Sequence, residues 1–142
     1  MVTQDLRSLT LELLRRCPNR CLHCSSDSHP AAIDELPPSV VRDLLDSASR
    51  RGLQKAIFSG GEPLAYIGLL DVLRHARERG IRTCIYTSGS AIDSDGARTP
   101  GVAVAERLAP LVDEWVVSLH SPFAPAHDSF MGSQGSWADA RR

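Results

Sequence analysis

The 142-residue sequence predicts an α/β fold in which parallel strands are flanked by helices. Short apolar segments alternate with amphipathic helical segments in the order βαβαβαβ. Crossovers of helical length join parallel strands, and strands that are nearly continuously apolar are typical of parallel sheets covered on both faces. The length is that of one domain with a single core.

The first predicted unit contains the most unusual stretch of the chain. Residues 9–14 alternate apolar and polar side chains and predict the first strand. The cysteine segment (Cys17–Cys24) follows at once, and an irregular connection rich in Ser, Asp and Pro covers 25–38. Pro37-Pro38 then opens a helix that Gly52 ends.

Two further strands follow, and each ends at a glycine-containing segment. A short apolar strand at 55–59 runs into Gly60-Gly61-Glu62-Pro63, and a helix is predicted over 67–79. The third strand, 81–87, is rich in β-forming residues and closes on Ser88-Gly89.

The last part of the chain predicts one more unit and the start of another. Residues 91–101 read as a polar loop, 102–109 as a short helix that Pro110 stops, and 114–120 as the fourth strand. A loop then leads to Ser136, which we expect to be the N-cap of a fourth helix. Because that helix has barely one turn, we expect the chain to be a truncated piece of a longer protein.

Composition argues against several classes of protein. A formal charge of −1 gives no electrostatic footprint for nucleic acid, and no apolar run reaches the roughly 18 residues of a membrane span. The N-terminal residues lack the apolar stretch of a secretory signal. Three of the four cysteines lie within eight residues, which favours metal binding in a reducing compartment over disulfides. We therefore expect a cytoplasmic protein.

Four short segments directly follow the four predicted strands. They are the cysteine segment, Gly60-Gly61-Glu62-Pro63, Thr87-Ser88-Gly89 and Ser118-Leu119-His120. Since the carboxyl ends of parallel strands share one edge, where α/β proteins bind ligands, we expect these segments to line one cleft.

The spacing C-x3-C-x2-C predicts a soft-metal site, because thiolates favour zinc, copper(I) or iron–sulfur clusters. A structural zinc site needs four closed ligands, and the fourth would have to come from His23, His29 or Cys84. An iron–sulfur cube with three cysteine ligands instead leaves one iron open. The spacing favours the cluster and leaves zinc, or three buried structural thiols, as alternatives.

Two motifs resemble one known family. Cys17-x3-Cys21-x2-Cys24 after the first strand resembles the signature of radical S-adenosylmethionine (SAM) enzymes, and Gly60-Gly61-Glu62-Pro63 resembles that family's GGEP motif. Ser118-Leu119, His127-Asp128, Gly132 and Gly135-Ser136-Trp137 are similar to the corresponding run in members that modify peptides and proteins. The resemblance extends from about Leu9 to Trp137.

The resemblance implies a specific architecture and set of cofactors. It implies that residues 1–142 are a radical SAM core domain, incomplete at the C-terminus: the N-terminal four β/α units of a partial (β/α)6 TIM-like barrel. Cys17, Cys21 and Cys24 would bind three irons of a 4Fe-4S cluster, and SAM would bind the fourth. The residues implied to contact SAM are His23, Ser59, Gly60, Gly61, Glu62, Ser88 and Ser118.

Each implied contact has a stated role. His23 would contact the adenine or shield the cluster, and Glu62 with the backbone of Ser59, Gly60 and Gly61 would receive the methionine ammonium. Ser88 and Ser118 would lie near the ribose or carboxylate. Two positions depart from the family pattern: Ser88 stands where Asn is common, and His120 replaces the usual Asp.

The resemblance also implies a reaction. An electron from an external donor, passed through the cluster, would cleave SAM to a 5′-deoxyadenosyl radical that abstracts hydrogen from a substrate, here a peptide or protein. The protein positions these cofactors, and no side chain is itself assigned as catalytic. The alternatives are a non-catalytic iron–sulfur or SAM-binding module and a small zinc-stabilised domain.

Overall fold

A four-stranded parallel sheet forms the centre of the protein, which a computed structural model describes over residues 6–142. The elements along the chain are β1 (Ser8–Glu12), α1 (Pro38–Ser49), β2 (Lys55–Ser59), α2 (Leu69–Glu78), β3 (Arg82–Thr87), β4 (Ser90–Ile92), β5 (Arg98–Pro100), α3 (Val102–Leu108), β6 (Glu114–Val117), α4 (Ala124–Met131) and α5 (Ser136–Ala140). The sheet order is β1-β2-β3-β6, and every neighbouring pair is parallel. The predicted α/β fold with a parallel sheet is confirmed.

Helices α1 and α2 cover one face of this sheet because both are amphipathic. The α1 residues Val41 and Leu45 are buried, as are Val72 and Leu73 of α2. They belong to one apolar cluster that also contains the strand residues Leu11, Ala56, Phe58 and Ile85. Strand side chains alternate between the two faces, so these residues all point toward the helices.

The opposite face of the sheet is more open. Thr10, Glu12 and Tyr86 are exposed there, as is Val116 of the edge strand β6, which pairs with Tyr86 and is about two-fifths exposed. Within residues 6–142, this face is therefore less covered than the face that packs against α1 and α2. This open face borders the edge of the sheet at which the four parallel strands end.

Several predicted boundaries shift by a few residues. The first strand, predicted over 9–14, ends at Glu12, and the fourth, predicted over 114–120, ends at Val117. Leu13 and Leu14 remain extended enough to bond the backbone of Ser59 and Gly61, but Leu14 also bridges Glu35 on its other side, which interrupts the regular ladder. The first two predicted helices are each shorter by two or more residues.

The predicted polar loop at 91–101 is wrong, because this segment forms most of an antiparallel hairpin of β4 and β5. Asp93 makes the turn: its carboxylate accepts the N–H groups of Asp95 and Ala97, and Gly96 adopts a positive φ of 82°. The Asp-Gly pair is a known hairpin signal. The flanking strands of three residues are too short to show an alternating pattern.

The predicted loop before Ser136 is also corrected, since α4 occupies 124–131. The last helix begins at Ser136, with Gly135 rather than Ser136 at the N-cap position. Asp128 joins the two helices: its carboxylate accepts the N–H groups of Gly135 and Trp137 and the Ser136 hydroxyl.

Two predictions made from the sequence concern secretion and membrane insertion. The absence of a secretory signal concerns the N-terminus, of which residues 1–5 lie outside the described part. Among the helices between residues 6 and 142, none has the length and apolar character that a bilayer crossing requires.

We expect Asp128→Ala to lower the free energy of unfolding by about 2 kcal/mol, because three donors lose a charged acceptor. Chemical denaturation monitored by circular dichroism measures the change. Asp43→Ala, at an exposed position of α1, is the matched control and should change stability by less than about 0.5 kcal/mol. Equal effects of the two substitutions would contradict this role.

Candidate functional site

A cavity of about 290 Å³ lies at the edge of the sheet where the four parallel strands end. The residues singled out from the sequence that line it are Cys17, Cys21, His23, Cys24, Ser59, Gly60, Gly61, Ser88 and Ser118. Each of the four segments that follow a strand contributes at least one of them. The structure therefore brings these segments around one cleft. Glu62 does not line it.

The two glycines bring the end of β2 against the start of the cysteine segment. The Gly61 N–H donates to the Leu14 carbonyl at 2.7 Å, and the Glu62 N–H donates to the Arg16 carbonyl at 3.0 Å. A Cβ on Gly61 would lie 2.3 Å from the Arg16 carbonyl oxygen, and one on Gly60 would lie 2.6 Å from that of Leu14. Side chains at these positions would force the two backbones apart.

The C-terminal end of α4 holds the other side of the cysteine segment. The Arg20 N–H donates to the Met131 carbonyl and the Leu22 N–H to the Phe130 carbonyl, each at 3.0 Å. The Cys21 thiol donates to the Met131 sulfur at 3.6 Å. The residues just before the cysteine segment are thus bonded to a strand end, and the segment itself is bonded to a helix end.

The three thiols differ in their surroundings. Cys17 is buried, Cys21 is half-buried and Cys24 is exposed. Burial raises the pKa of Cys17 to about 12 and raises that of Cys21, with the neighbouring Cys24 adding to the shift at Cys21. Cys17 is therefore a protonated thiol at neutral pH when no metal is bound.

In the part of the chain from residue 6 onward, no group of three or more His, Cys, Asp or Glu side chains is arranged to hold a metal ion. Of the three candidates for a fourth zinc ligand, His29 and Cys84 do not line the cavity.

Glu62 is fully buried behind the cavity and braces the end of β3. One carboxylate oxygen accepts the Thr87 hydroxyl at 2.6 Å and the Leu64 N–H at 3.1 Å. The other accepts the Ser88 hydroxyl at 2.6 Å and the Ser88 N–H at 2.9 Å. Burial raises the pKa of Glu62, and these hydrogen bonds offset the effect only in part.

An aromatic group that sequence reasoning missed stands beside the cysteines. The His23 ring stacks on Phe130 at 4.6 Å between centroids and meets the edge of His120 at 4.7 Å. The His120 N–H donates to Nδ1 of the fully buried His127 at 3.1 Å. Partial desolvation lowers the pKa of His120, and the nearby His23 and His127 add to the effect. The sequence singled out His23 and the departure from the family pattern at His120, but nothing in it indicated that Phe130 packs against both rings.

Two buried polar side chains at the cavity were also missed. Asn19 and Ser28 line it, yet Nδ2 and Oδ1 of Asn19 and Oγ of Ser28 have no hydrogen-bond partner in the described part of the chain. No sequence pattern distinguishes them from ordinary loop residues. Their burial follows from the backbone path of the cysteine segment, which contains Asn19, and of the connection after it, which contains Ser28.

These observations define the class of protein as an α/β protein with a cysteine-lined cavity at the carboxyl edge of its parallel sheet. The sequence profile of the Radical SAM superfamily matches residues 11–142. The chain therefore belongs to the Radical SAM superfamily, and the family predicted from the two motifs is confirmed.

Curated relatives include two enzymes with stated reactions. The chain is 40% identical over 85 residues to a PqqA peptide cyclase of Xanthomonas oryzae pv. oryzae, covering 59% of this chain and 23% of that protein. It is 27% identical over 137 residues to an AdoMet-dependent heme synthase of Oleidesulfovibrio alaskensis, covering 96% of this chain and 34% of that protein. The chain thus spans about a quarter to a third of the length of these relatives.

Solved structures show the same fold. SuiB of Streptococcus suis bound to its precursor peptide SuiA matches with a TM-score of 0.74 at 20% identity, over 94% of this chain and 29% of that one. SuiB bound to S-adenosylmethionine matches with a TM-score of 0.73 at 20% identity, over 94% and 30%. At this level of identity the likeness is one of fold.

We expect Gly61→Ala to lower the free energy of unfolding by about 3 kcal/mol, because the new Cβ would overlap the Arg16 and Arg15 carbonyls. Thermal and urea denaturation measure the loss. Gly96→Ala is the control, since a Cβ there meets open space and only the positive φ is strained; it should cost about 1 kcal/mol. A smaller loss for Gly61→Ala than for Gly96→Ala would show that the close approach is not needed.

The raised pKa of Glu62 predicts a pH dependence of stability. A carboxyl whose pKa is higher in the folded than in the unfolded state stabilises the fold below its ordinary value of 4.5 and loses that contribution as pH rises through the folded pKa. We expect Glu62→Gln to lack this pH-dependent loss of stability. The unfolding free energy of the wild type should therefore fall relative to that of the variant as pH rises from about 4.5 through the folded pKa.

Urea denaturation over a series of pH values measures that difference. Glu106→Gln, at an exposed position of α3, controls for the loss of a carboxylate. Parallel profiles for wild type and Glu62→Gln would contradict the raised pKa.

Proposed function

We propose that this chain carries the cofactor-binding part of a radical SAM enzyme, with a 4Fe-4S cluster held by Cys17, Cys21 and Cys24. The observation that carries the proposal is that these cysteines and the backbone of Gly60 and Gly61 line one cavity in a chain of this superfamily. When bound, the cluster supplies the electron that cleaves SAM and so starts hydrogen abstraction from a substrate.

The residues around the cavity would divide the binding of SAM between them. The backbone at Ser59, Gly60 and Gly61 would face the methionine ammonium, and Ser118 would lie near the ribose or carboxylate. Glu62 would act as a positioning residue, because its oxygens already accept four hydrogen bonds behind the cavity. It would hold Ser88 at the rim of the cavity.

His23 would present its ring to the adenine or shield the cluster. Its contacts with Phe130 and His120 fix the ring at the mouth of the cavity. An aromatic surface held by two neighbours loses little conformational freedom when a base stacks on it.

We further propose that residues 1–142 form the N-terminal four β/α units of a partial (β/α)6 barrel, with the open sheet face toward its interior. The substrate we propose is a peptide or protein, and the electron would come from an external donor. The stated substrates of PqqA peptide cyclase and the SuiA complex of SuiB support a peptide. The cytoplasmic location stays a prediction, and four free cysteines fit a reducing compartment.

Anaerobic reconstitution with iron and sulfide tests the cluster. We expect wild type to gain the absorption and electron paramagnetic resonance spectra of a 4Fe-4S cluster, and Cys17→Ala, Cys21→Ala and Cys24→Ala each to lose most of that signal. Cys84→Ala is the matched control, because Cys84 is buried within β3 and does not line the cavity. Tight binding of one zinc ion with no uptake of iron would instead support the zinc-stabilised domain.

A second assay separates an enzyme from a binding module. Reduced, reconstituted protein is incubated with SAM, and 5′-deoxyadenosine is measured by chromatography. Formation of this product above that of the Cys21→Ala protein supports catalysis. A loaded cluster that binds SAM without forming the product would support the non-catalytic module.

A further inference from the structure

Asn19 and Ser28 are two buried polar residues at the cavity for which the proposed function has no use. Asn19 is 1% exposed and Ser28 is 7% exposed, and both line the cavity. Their side-chain polar atoms have no hydrogen-bond partner within residues 6–142. A buried amide or hydroxyl left without a partner costs about 1–3 kcal/mol, so such groups in native proteins usually meet a ligand or water.

Each of these residues already contacts a different cavity cysteine through its backbone. The Ser28 N–H donates to the Cys24 sulfur at 3.3 Å. The Asn19 N–H bonds the Cys17 sulfur, and this contact lowers the pKa of Cys17 against the larger, opposite effect of burial. The backbone of each residue therefore lies next to the sulfur atom of a cysteine that lines the cavity.

Two other serine hydroxyls at the cavity already donate to carboxylates. Ser26 also lines the cavity, but its hydroxyl donates to Glu12 at 3.0 Å. The Ser88 hydroxyl donates to Glu62 at 2.6 Å. Ser28 thus differs from these two serines in having a hydroxyl proton still available.

We propose that the side chains of Asn19 and Ser28 donate hydrogen bonds to sulfur atoms of the bound iron–sulfur cluster and thereby raise its reduction potential. Reduction adds negative charge that the cluster and thiolate sulfurs share, so donors to sulfur stabilise the reduced form more than the oxidised form. This inference rests on the proposed function, because it requires that a cluster binds.

A redox titration of the reconstituted protein without SAM, followed by electron paramagnetic resonance, tests the inference. We expect Ser28→Ala and Asn19→Ala each to shift the ratio of reduced to oxidised cluster at a fixed potential about tenfold toward the oxidised form. For a one-electron couple this is a reduction potential lower by about 59 mV. Ser28→Thr keeps the hydroxyl and should retain the wild-type potential, as should the matched control Ser26→Ala.

The outcomes separate this inference from the proposed function. If wild type assembles no cluster, the proposed function itself fails. If the variants assemble a cluster with the wild-type potential, the inference is wrong while the proposed function stands. The inference is equally wrong if the potential is unchanged but SAM affinity falls, since the donors would then face SAM. If Asn19→Ala does not fold, the comparison of Ser28→Ala with Ser28→Thr decides.

Discussion

The position of Glu62 ties together three strand ends, and the cavity depends on it. Its backbone N–H bonds the Arg16 carbonyl after β1, the residue itself follows β2, and its carboxylate holds Thr87 and Ser88 at the end of β3. This is feasible only because the preceding residue, Gly61, has no Cβ to separate the first two segments. The buried Glu62 carboxylate, which accepts four hydrogen bonds, and the close backbone contact at Gly61 therefore hold these three strand ends together.

The C-terminal end of α4 supplies the second constraint on the cysteine segment. Backbone bonds to Phe130 and Met131 fix the segment opposite its attachment to β2, and Gly132 lies so close that a Cβ would be 2.3 Å from the Arg20 carbonyl oxygen. A segment held from both sides keeps its thiols at the cavity without a bound ligand. Sites built on fixed elements are more exact than sites on free loops.

The sequence predicted the parts of this arrangement that follow from strand order. Parallel strands share a carboxyl edge, so Ser88 and Ser118 could be placed beside the cysteines from topology alone. It did not predict α4, whose Pro-, Ala- and His-containing residues show weak periodicity and are stabilised by tertiary contacts. It did not indicate that the Glu62 carboxylate accepts hydrogen bonds from Thr87 and Ser88, because local pattern cannot tell which way a turn carboxylate points.

The glycines illustrate why a motif alone cannot assign a contact. Gly60 and Gly61 line the cavity, and their lack of side chains also lets residues 14–16, just before the cysteine segment, approach the end of β2. The case for a cluster then depends mainly on the thiols, and burial holds the pKa of Cys17 at about 12. A bound metal cation reverses this effect, because its positive charge stabilises the thiolate that burial disfavours. Cys17 would therefore lose its proton only as iron binds, so that the affinity of the site for iron would increase with pH.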